Sequence, residues 1–339
     1  MNTFDQLSFK RLVIVAYRLP FKLVKNGEEK TAVQNAGGLV SAILSLSEKM
    51  NSNAETAAKI LWVGTGEKEL GEENINPHFD LFPVEIPEVM NEKYYGGFCN
   101  DTIWPLFHYF PSITTYDNEY FDAYKQSNQL FFQKLKDIIL PGDFIWVHDY
   151  QLFLLPSLIR NAFSGIAINI GFFLHIPFPS SEIFRMLPNN WREAILKGLL
   201  GADLIGFHTN DYSQHFLKSV KRTLGLEIQQ NYIHFQNRII KSGAFPIGID
   251  YDKFHDACSS SEVINENDKL KKILLGRKLI FSVDRLDYSK GLLNRLKAYE
   301  RFLEKYPKWI ENAIFNMVVI PSRDTIDRYI ELKKEIEAT

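Results

Sequence analysis

The sequence predicts an α/β protein built on parallel sheets and divided into about two domains. Three observations carry that reading. The chain has 339 residues, against a usual domain size of about 150. Hydrophobic residues make up 45% and charged residues 24%, the balance of an ordinary globular core. Short apolar runs alternate with longer amphipathic stretches, the order that gives parallel strands joined by right-handed helical crossovers.

The elements follow in order. Leu12–Tyr17 reads as a buried strand and Gly38–Lys49 as a helix. Ile60–Val63 is strand-like, and Asp117–Ile139 carries aromatics at helical spacing. Phe144–Val147 follows the Pro141-Gly142-Asp143 turn as a strand, and Gln151–Arg160 reads as a helix. Ile166–Leu174, Trp191–Leu200, Leu204–Phe207 and Tyr212–Leu224 continue the alternation. So do Lys278–Val283, Lys290–Tyr306, Phe315–Ile320 and Thr325–Glu337. The strands are apolar on both faces, as expected where helices cover both sides of a sheet. Ser259–Lys272 is polar without clear apolar period, and is expected to be a surface connection between domains 1–258 and 273–339.

Several function classes are disfavoured. A net charge of −2 gives no broad basic footprint for nucleic acid. No apolar run reaches membrane-spanning length. Residues Met1–Lys10 contain no apolar leader core. Cys99 and Cys258 have no metal-ligand spacing, which fits a reducing cytoplasm. The chain contains neither a P-loop nor the dinucleotide fingerprint. Asp250-Tyr251-Asp252 has the D-x-D pattern of some metal-dependent sugar transferases, but so short a pattern recurs by chance, and no metal site is expected.

In open parallel sheets, ligands bind at the carboxyl ends of the strands. Five expected strands run there into a charged or titratable residue: Arg18; His148 and Asp149; His175; Arg285 and then Lys290; and Arg323. Singly, each is a solvated surface group. Together they supply three arginines and a lysine, and a guanidinium fork matches phosphate oxygens. The pairs Arg18 with Arg323 and Arg285 with Lys290 suit two phosphate groups. Gly37-Gly38 opens a helix, where backbone amides favour an anion and glycine permits close approach. Tyr94-Tyr95-Gly96-Gly97-Phe98 and Trp104-Pro105 form an aromatic cluster suited either to a sugar face or to core packing.

These segments resemble the trehalose-6-phosphate synthases. The match runs through Arg18-Leu19-Pro20, Ala36-Gly37-Gly38-Leu39, Tyr95 to Tyr109, and Val147-His148-Asp149-Tyr150. It continues through Gly171 to Pro179, Gly206-Phe207-His208-Thr209, Asp284 to Gly291, and Pro321-Ser322-Arg323. The resemblance implies two Rossmann-like domains of the GT-B type. It implies retaining transfer of glucose from UDP-glucose to glucose-6-phosphate, without a cofactor or metal. On that resemblance Arg18, Tyr95, Asp149 and Arg323 hold glucose-6-phosphate. Gly38, Arg285 and Lys290 face UDP-glucose. His175, Asp149 and Trp104 are the expected catalytic set.

Three positions depart from the family pattern: Tyr17 where Asn is common, Gln151 where His is common, and Thr65 where Trp is common. The family's Asp-Gly-Met-Asn-Leu segment is not found before Thr339. The second domain is therefore expected to be incomplete, with an unfinished sheet edge, and the chain to be part of a longer one. Homo-oligomerisation and a phosphatase domain in a longer parent are both compatible with the resemblance. Two other readings remain: the same fold with a different acceptor, as in glucosylglycerol-phosphate synthases, and a non-catalytic sugar-phosphate-binding protein.

Overall fold

The structure is a computed structural model that describes residues 11–26, 29–35, 38–51, 59–71, 79–321 and 327–339. The chain divides into two compact units, Met1–Ile249 and Asp250–Thr339.

The first unit begins with β1 (Arg11–Arg18), the hairpin β2 (Phe21–Asn26) and β3 (Glu29–Gln34), and helix α1 (Gly38–Asn51). Strands β4 (Lys59–Thr65) and β5 (Phe79–Val84) follow, then α2 (Glu88–Asn91) and a π-helix, Glu92–Ile103. Next come α3 (Trp104–Phe107), α4 (Asn118–Lys136), β6 (Asp143–His148), α5 (Leu155–Ala162), β7 (Asn169–Phe173) and α6 (Ser181–Phe184). The unit ends with α7 (Asn189–Leu199), β8 (Leu204–Phe207), α8 (Asn210–Leu224), β9 (Ile228–Gln229), β10 (Tyr232–Phe235) and β11 (Arg238–Ala244).

These strands form a nine-stranded sheet in the order β5-β4-β1-β6-β7-β8-β11-β10-β9. It is parallel from β5 to β11 and antiparallel at β10 and β9. The chain winds outward from β1 through β4 and β5, then returns to β6 and winds the other way. The strand order therefore reverses between β1 and β6, the place where doubly wound sheets bind ligands. Leu12 to Ala16 of β1 are all buried, because helices cover both faces. Trp62, Leu12, Ile14, Ile60 and Phe79 form the core on one side. Phe98, Phe121, Tyr124 and Trp191 interlock elsewhere in the unit. At the amino ends of the strands, Arg11 of β1 binds Asp143 of β6 through both carboxylate oxygens, at 2.8 and 2.6 Å.

The second unit contains α9 (Tyr251–Ala257), α10 (Ser261–Leu274), β12 (Lys278–Arg285), α11 (Leu292–Lys305), β13 (Ala313–Ile320) and α12 (Asp327–Ala338). β12 and β13 pair in parallel. Leu286, Leu292 and Leu332 form the buried centre, with Tyr288, Met317 and Val319 packed against it.

The stretch 259–272, expected as a loop, is largely α10. Ser260 caps that helix by accepting a hydrogen bond from the Val263 amide at 3.3 Å. No residue of α10 is buried, so the sequence carries no apolar stripe to reveal it. The compact division falls at Ile249/Asp250 rather than within 259–272, and α9 and α10 group with the second unit. The helix expected at 151–160 is a short 3₁₀ turn, Tyr150–Leu152, followed by α5. Among the described residues no helix is long and apolar enough to cross a membrane.

Candidate active site

At the carboxyl end of β1, the pairing register with β4 shifts between Val15 and Arg18. Three contacts hold this strand end. Thr65 Oγ1 donates to the Tyr17 carbonyl at 2.6 Å, and the Leu19 amide donates to the Thr65 carbonyl at 3.1 Å. Gly64 allows the close approach, since a Cβ there would stand 2.6 Å from the Arg18 carbonyl carbon. Tyr17 and Tyr95 stack with centroids 4.3 Å apart and planes 3° apart. The Arg18 guanidinium carbon lies 5.6 Å from the Tyr17 ring centroid and 5.4 Å from that of Tyr95. Cation–π attraction thus orients Arg18 without consuming its charge. Arg18 has no ion-pair partner among the described residues. It lines a cavity of about 500 Å³ with Tyr17, Asn35, Thr65, Glu85 and Asn91. Burial pushes the Tyr17 phenol well up, and its Oη donates to Asn91 Oδ1 at 2.8 Å.

Tyr95 sits on the π-helix Glu92–Ile103. Wider helical turns of this kind concentrate at functional sites. Gly97 is required there by packing: its Cβ would lie 2.6 Å from the Tyr120 ring.

Across the point where the strand order reverses, β6 ends in His148, and Asp149 follows it. Asp149 has φ 73° and ψ 170°, a region that is essentially glycine's. Its amide donates to the Phe173 carbonyl at 2.8 Å. Its Oδ1 accepts from the His175 amide at 3.2 Å. The strained backbone therefore ties the ends of β6 and β7 together. His148 is 1% exposed, and its Nδ1 lies 3.1 Å from His175 Nε2. The His175 and His208 rings are 5.8 Å apart. Burial drives the His148 imidazole well below its ordinary range, aided by His175. Burial also lowers His175 to about 3, with His208 adding to the shift. His208 is lowered by the same cause. All three rings are neutral near pH 7, so they can orient hydroxyl groups but bring no positive charge.

Trp104 is buried. It packs on His108 at 4.1 Å and on Tyr150 at 5.9 Å. Gln151 is also buried, and its carbonyl accepts from Tyr94 Oη and Asn128 Nδ2, each at 3.0 Å. Gly38 is the first residue of α1, and an added Cβ would meet nothing within 4 Å. Among the described residues, no packing requires glycine there. Gly37 lies outside the described residues.

In the second unit, Arg285 ends β12 and is exposed. Lys290 ends the 3₁₀ turn Tyr288–Lys290 just before α11. That turn is held from below: Asp287 is fully buried, its Oδ1 accepts from the Ser289 amide at 2.9 Å, and its Oδ2 from Tyr329 Oη at 3.2 Å. Arg295 binds Asp284 at 2.6 Å and the Lys290 carbonyl at 3.0 Å. Neither Arg285 nor Lys290 has an ion-pair partner among the described residues. Arg323 lies outside the described residues. Asp250 caps α9 by accepting from the Lys253 amide at 3.4 Å. Among the described residues no three His, Cys, Asp or Glu side chains come together as metal ligands.

Tyr17 and Thr65, two of the positions that depart from the family pattern, both line the Arg18 cavity. Asn35, Glu85 and Asn91 line it too, and no spacing in the sequence singles them out.

Residues 10–339 match the model of glycosyltransferase family 20. A bifunctional trehalose-6-phosphate synthase/phosphatase of Thermoproteus tenax is 40% identical over 334 residues, 96% of this chain and 45% of that protein. The chain thus spans less than half the length of this relative. An α,α-trehalose-phosphate synthase (UDP-forming) from Burkholderia xenovorans, solved in complex with glucose-6-phosphate, superposes with a TM-score of 0.82 at 28% identity. The match covers 97% of this chain and 70% of that one. A trehalose-6-phosphate structure from E. coli bound with UDP-2-fluoro glucose gives a TM-score of 0.81 at 30% identity, covering 97% and 68%. The fold, the arrangement at the strand ends and the family match agree: this chain belongs to glycosyltransferase family 20.

Proposed function

We propose that the chain provides the acceptor site and donor-binding cations of a retaining α,α-trehalose-phosphate synthase. The reaction transfers glucose from UDP-glucose to the anomeric hydroxyl of glucose-6-phosphate, giving α,α-trehalose-6-phosphate and UDP. The carrying observation is Arg18, held on the Tyr17–Tyr95 stack with its charge unspent, at the strand end beside the Asp149–His175 pair. Relatives solved with glucose-6-phosphate and with a UDP-glucose analogue support the same reading.

We assign the acceptor phosphate to Arg18 and, with it, Arg323, and the acceptor sugar to Tyr95 and Asp149. Arg285 and Lys290 go to the donor diphosphate. As the glycosidic bond breaks, charge builds on the leaving phosphate, and these two cations stabilise it without a metal. The acceptor proton passes to that phosphate, so no protein base is required. A neutral His175 then positions sugar hydroxyls. Gly38 leaves space for the donor at the start of α1, and Trp104, packed on His108 and Tyr150, helps shape the site near the reacting glucose. We assign no cofactor. A longer parent could carry a phosphatase, as the Thermoproteus tenax relative's name indicates for that protein. The cysteine usage supports a cytoplasmic location.

The test is UDP release by the purified chain, given UDP-glucose with and without glucose-6-phosphate. Acceptor-dependent release, with trehalose-6-phosphate identified by mass, would establish the synthase reaction in this chain. Preference for glycerol-3-phosphate would replace the acceptor. Glucose-6-phosphate binding without UDP release would mark the chain as an incomplete enzyme or a binding protein.

A further inference from the structure

Between α6, α7 and α8 lies a cavity of about 620 Å³ whose lining shares no residue with that of Arg18. Arg185, Arg192 and Arg222 all line it, with Ser181 and Asn189, and no carboxylate does. The neighbouring carboxylate, Glu182, is already bound by Arg222 at 2.6 Å and Lys218 at 3.3 Å. Arg222 also donates to Ser181 Oγ at 2.7 Å.

The other two arginines are under-used. The Arg185 guanidinium has no partner among the described residues. Arg192 donates to the Arg185 carbonyl at 3.1 Å and to Asn189 Oδ1 at 2.9 Å. Its Nε is buried and has no acceptor. A buried, unmet guanidinium donor is costly and uncommon in native proteins. It becomes favourable when an oxyanion supplies the acceptor, and arginine forks match phosphate oxygens in pairs. The chain carries a net charge of −2, so the concentration of cations here is local, not a general basic surface.

We propose that this cavity is a second anion site, binding a phosphate group through Arg185 and Arg192 with Arg222 at the rim. Its volume falls in the range of about 300–1,000 Å³ typical of small-ligand sites. That is more room than inorganic phosphate needs, so a small phosphate monoester is the expected occupant.

The test uses the full chain carrying Arg18→Gln, which removes the proposed acceptor anion site. Inorganic phosphate and ribose 5-phosphate are titrated by calorimetry. Both should bind, and the ester's tighter binding would identify an organic phosphate as the source; equal affinity would identify free phosphate. Adding Arg185→Gln should weaken binding by about tenfold or more, the loss of one charge-assisted hydrogen bond. Arg192→Gln should do the same, and Arg285→Gln should not. Arg185 is exposed with an unengaged side chain, so its variant should keep the parent's circular dichroism and melting curve. Unchanged affinity in both cavity variants would overturn the proposal. So would Arg185-dependent binding of a hexaglutamate peptide without phosphate binding, which would point to an acidic protein segment. Neither result depends on transferase activity.

Discussion

Asp149 carries the clearest strain in the first unit. Its φ of 73° with ψ of 170° costs a non-glycine residue about 1–3 kcal/mol. Asp149→Gly and Asp149→Ala lose the same acceptor for the His175 amide, so that loss cancels between them. The glycine variant should be more stable by about 1–3 kcal/mol, read from urea midpoints, while neither supports transfer. Equal stabilities would mean that Asp149 relaxes in solution. The histidines make a second residue-scale prediction. An unfolded imidazole titrates near 6.5, whereas folded His175 titrates at about 3. Above pH 6.5 both states are neutral and stability is unaffected. Between those values the unfolded state binds more protons, so stability falls as pH drops. At pH 5 the loss from His175 alone is about 2 kcal/mol. His175→Asn should flatten the pH dependence of the urea midpoint between pH 7 and pH 5 by that amount. The sequence offered Asp149 and His175 as strand-end residues, but not their coupling, because positive φ at an aspartate leaves no local signature.

At the scale of elements, parallel strands and their covering helices were legible because each is apolar enough to announce itself. The misses share a cause, which is elements that lack the usual marker. β5 contains Pro83, tolerable because β5 is an edge strand, yet proline argues against a strand on sequence alone. The β10–β11 hairpin turns through Gln236 and Asn237 at φ 49° and 58°, where glycine would have been the expected signal. β4 shows how an element sets the site. Gly64 has the Arg18 and Leu19 backbone against it, with 2.6 Å left for a Cβ. Gly64→Ala must push β4 away from that turn, costing about 1–3 kcal/mol. The displaced turn carries Arg18, so glucose-6-phosphate affinity should fall by about tenfold while UDP affinity holds. Calorimetry with each ligand separates the two effects. Parallel losses would mean a general loss of fold instead.

For the whole molecule, length and alternation predict two units; the compact division falls at Ile249/Asp250, and α9 and α10 beyond it bury no residue. The two units differ in how much apolar surface each buries. The first has a nine-stranded sheet with central strands buried on both faces. The second has β12 paired to β13, with Phe281 62% and Val283 53% exposed. Its fully buried apolar centre is small. Burial contributes about 25 cal/mol per Å² of apolar surface, so the second unit has much less to set against its chain entropy. Unfolding in urea should therefore proceed in two steps, with the second unit melting first. Trp309 reports that step, being the tryptophan of the second unit, while Trp62 and Trp191 report the sheet. A fragment ending at Ile249 should retain the later transition with an unchanged midpoint. A single transition in the full chain, or a fragment that no longer folds, would show instead that the two units stabilise each other.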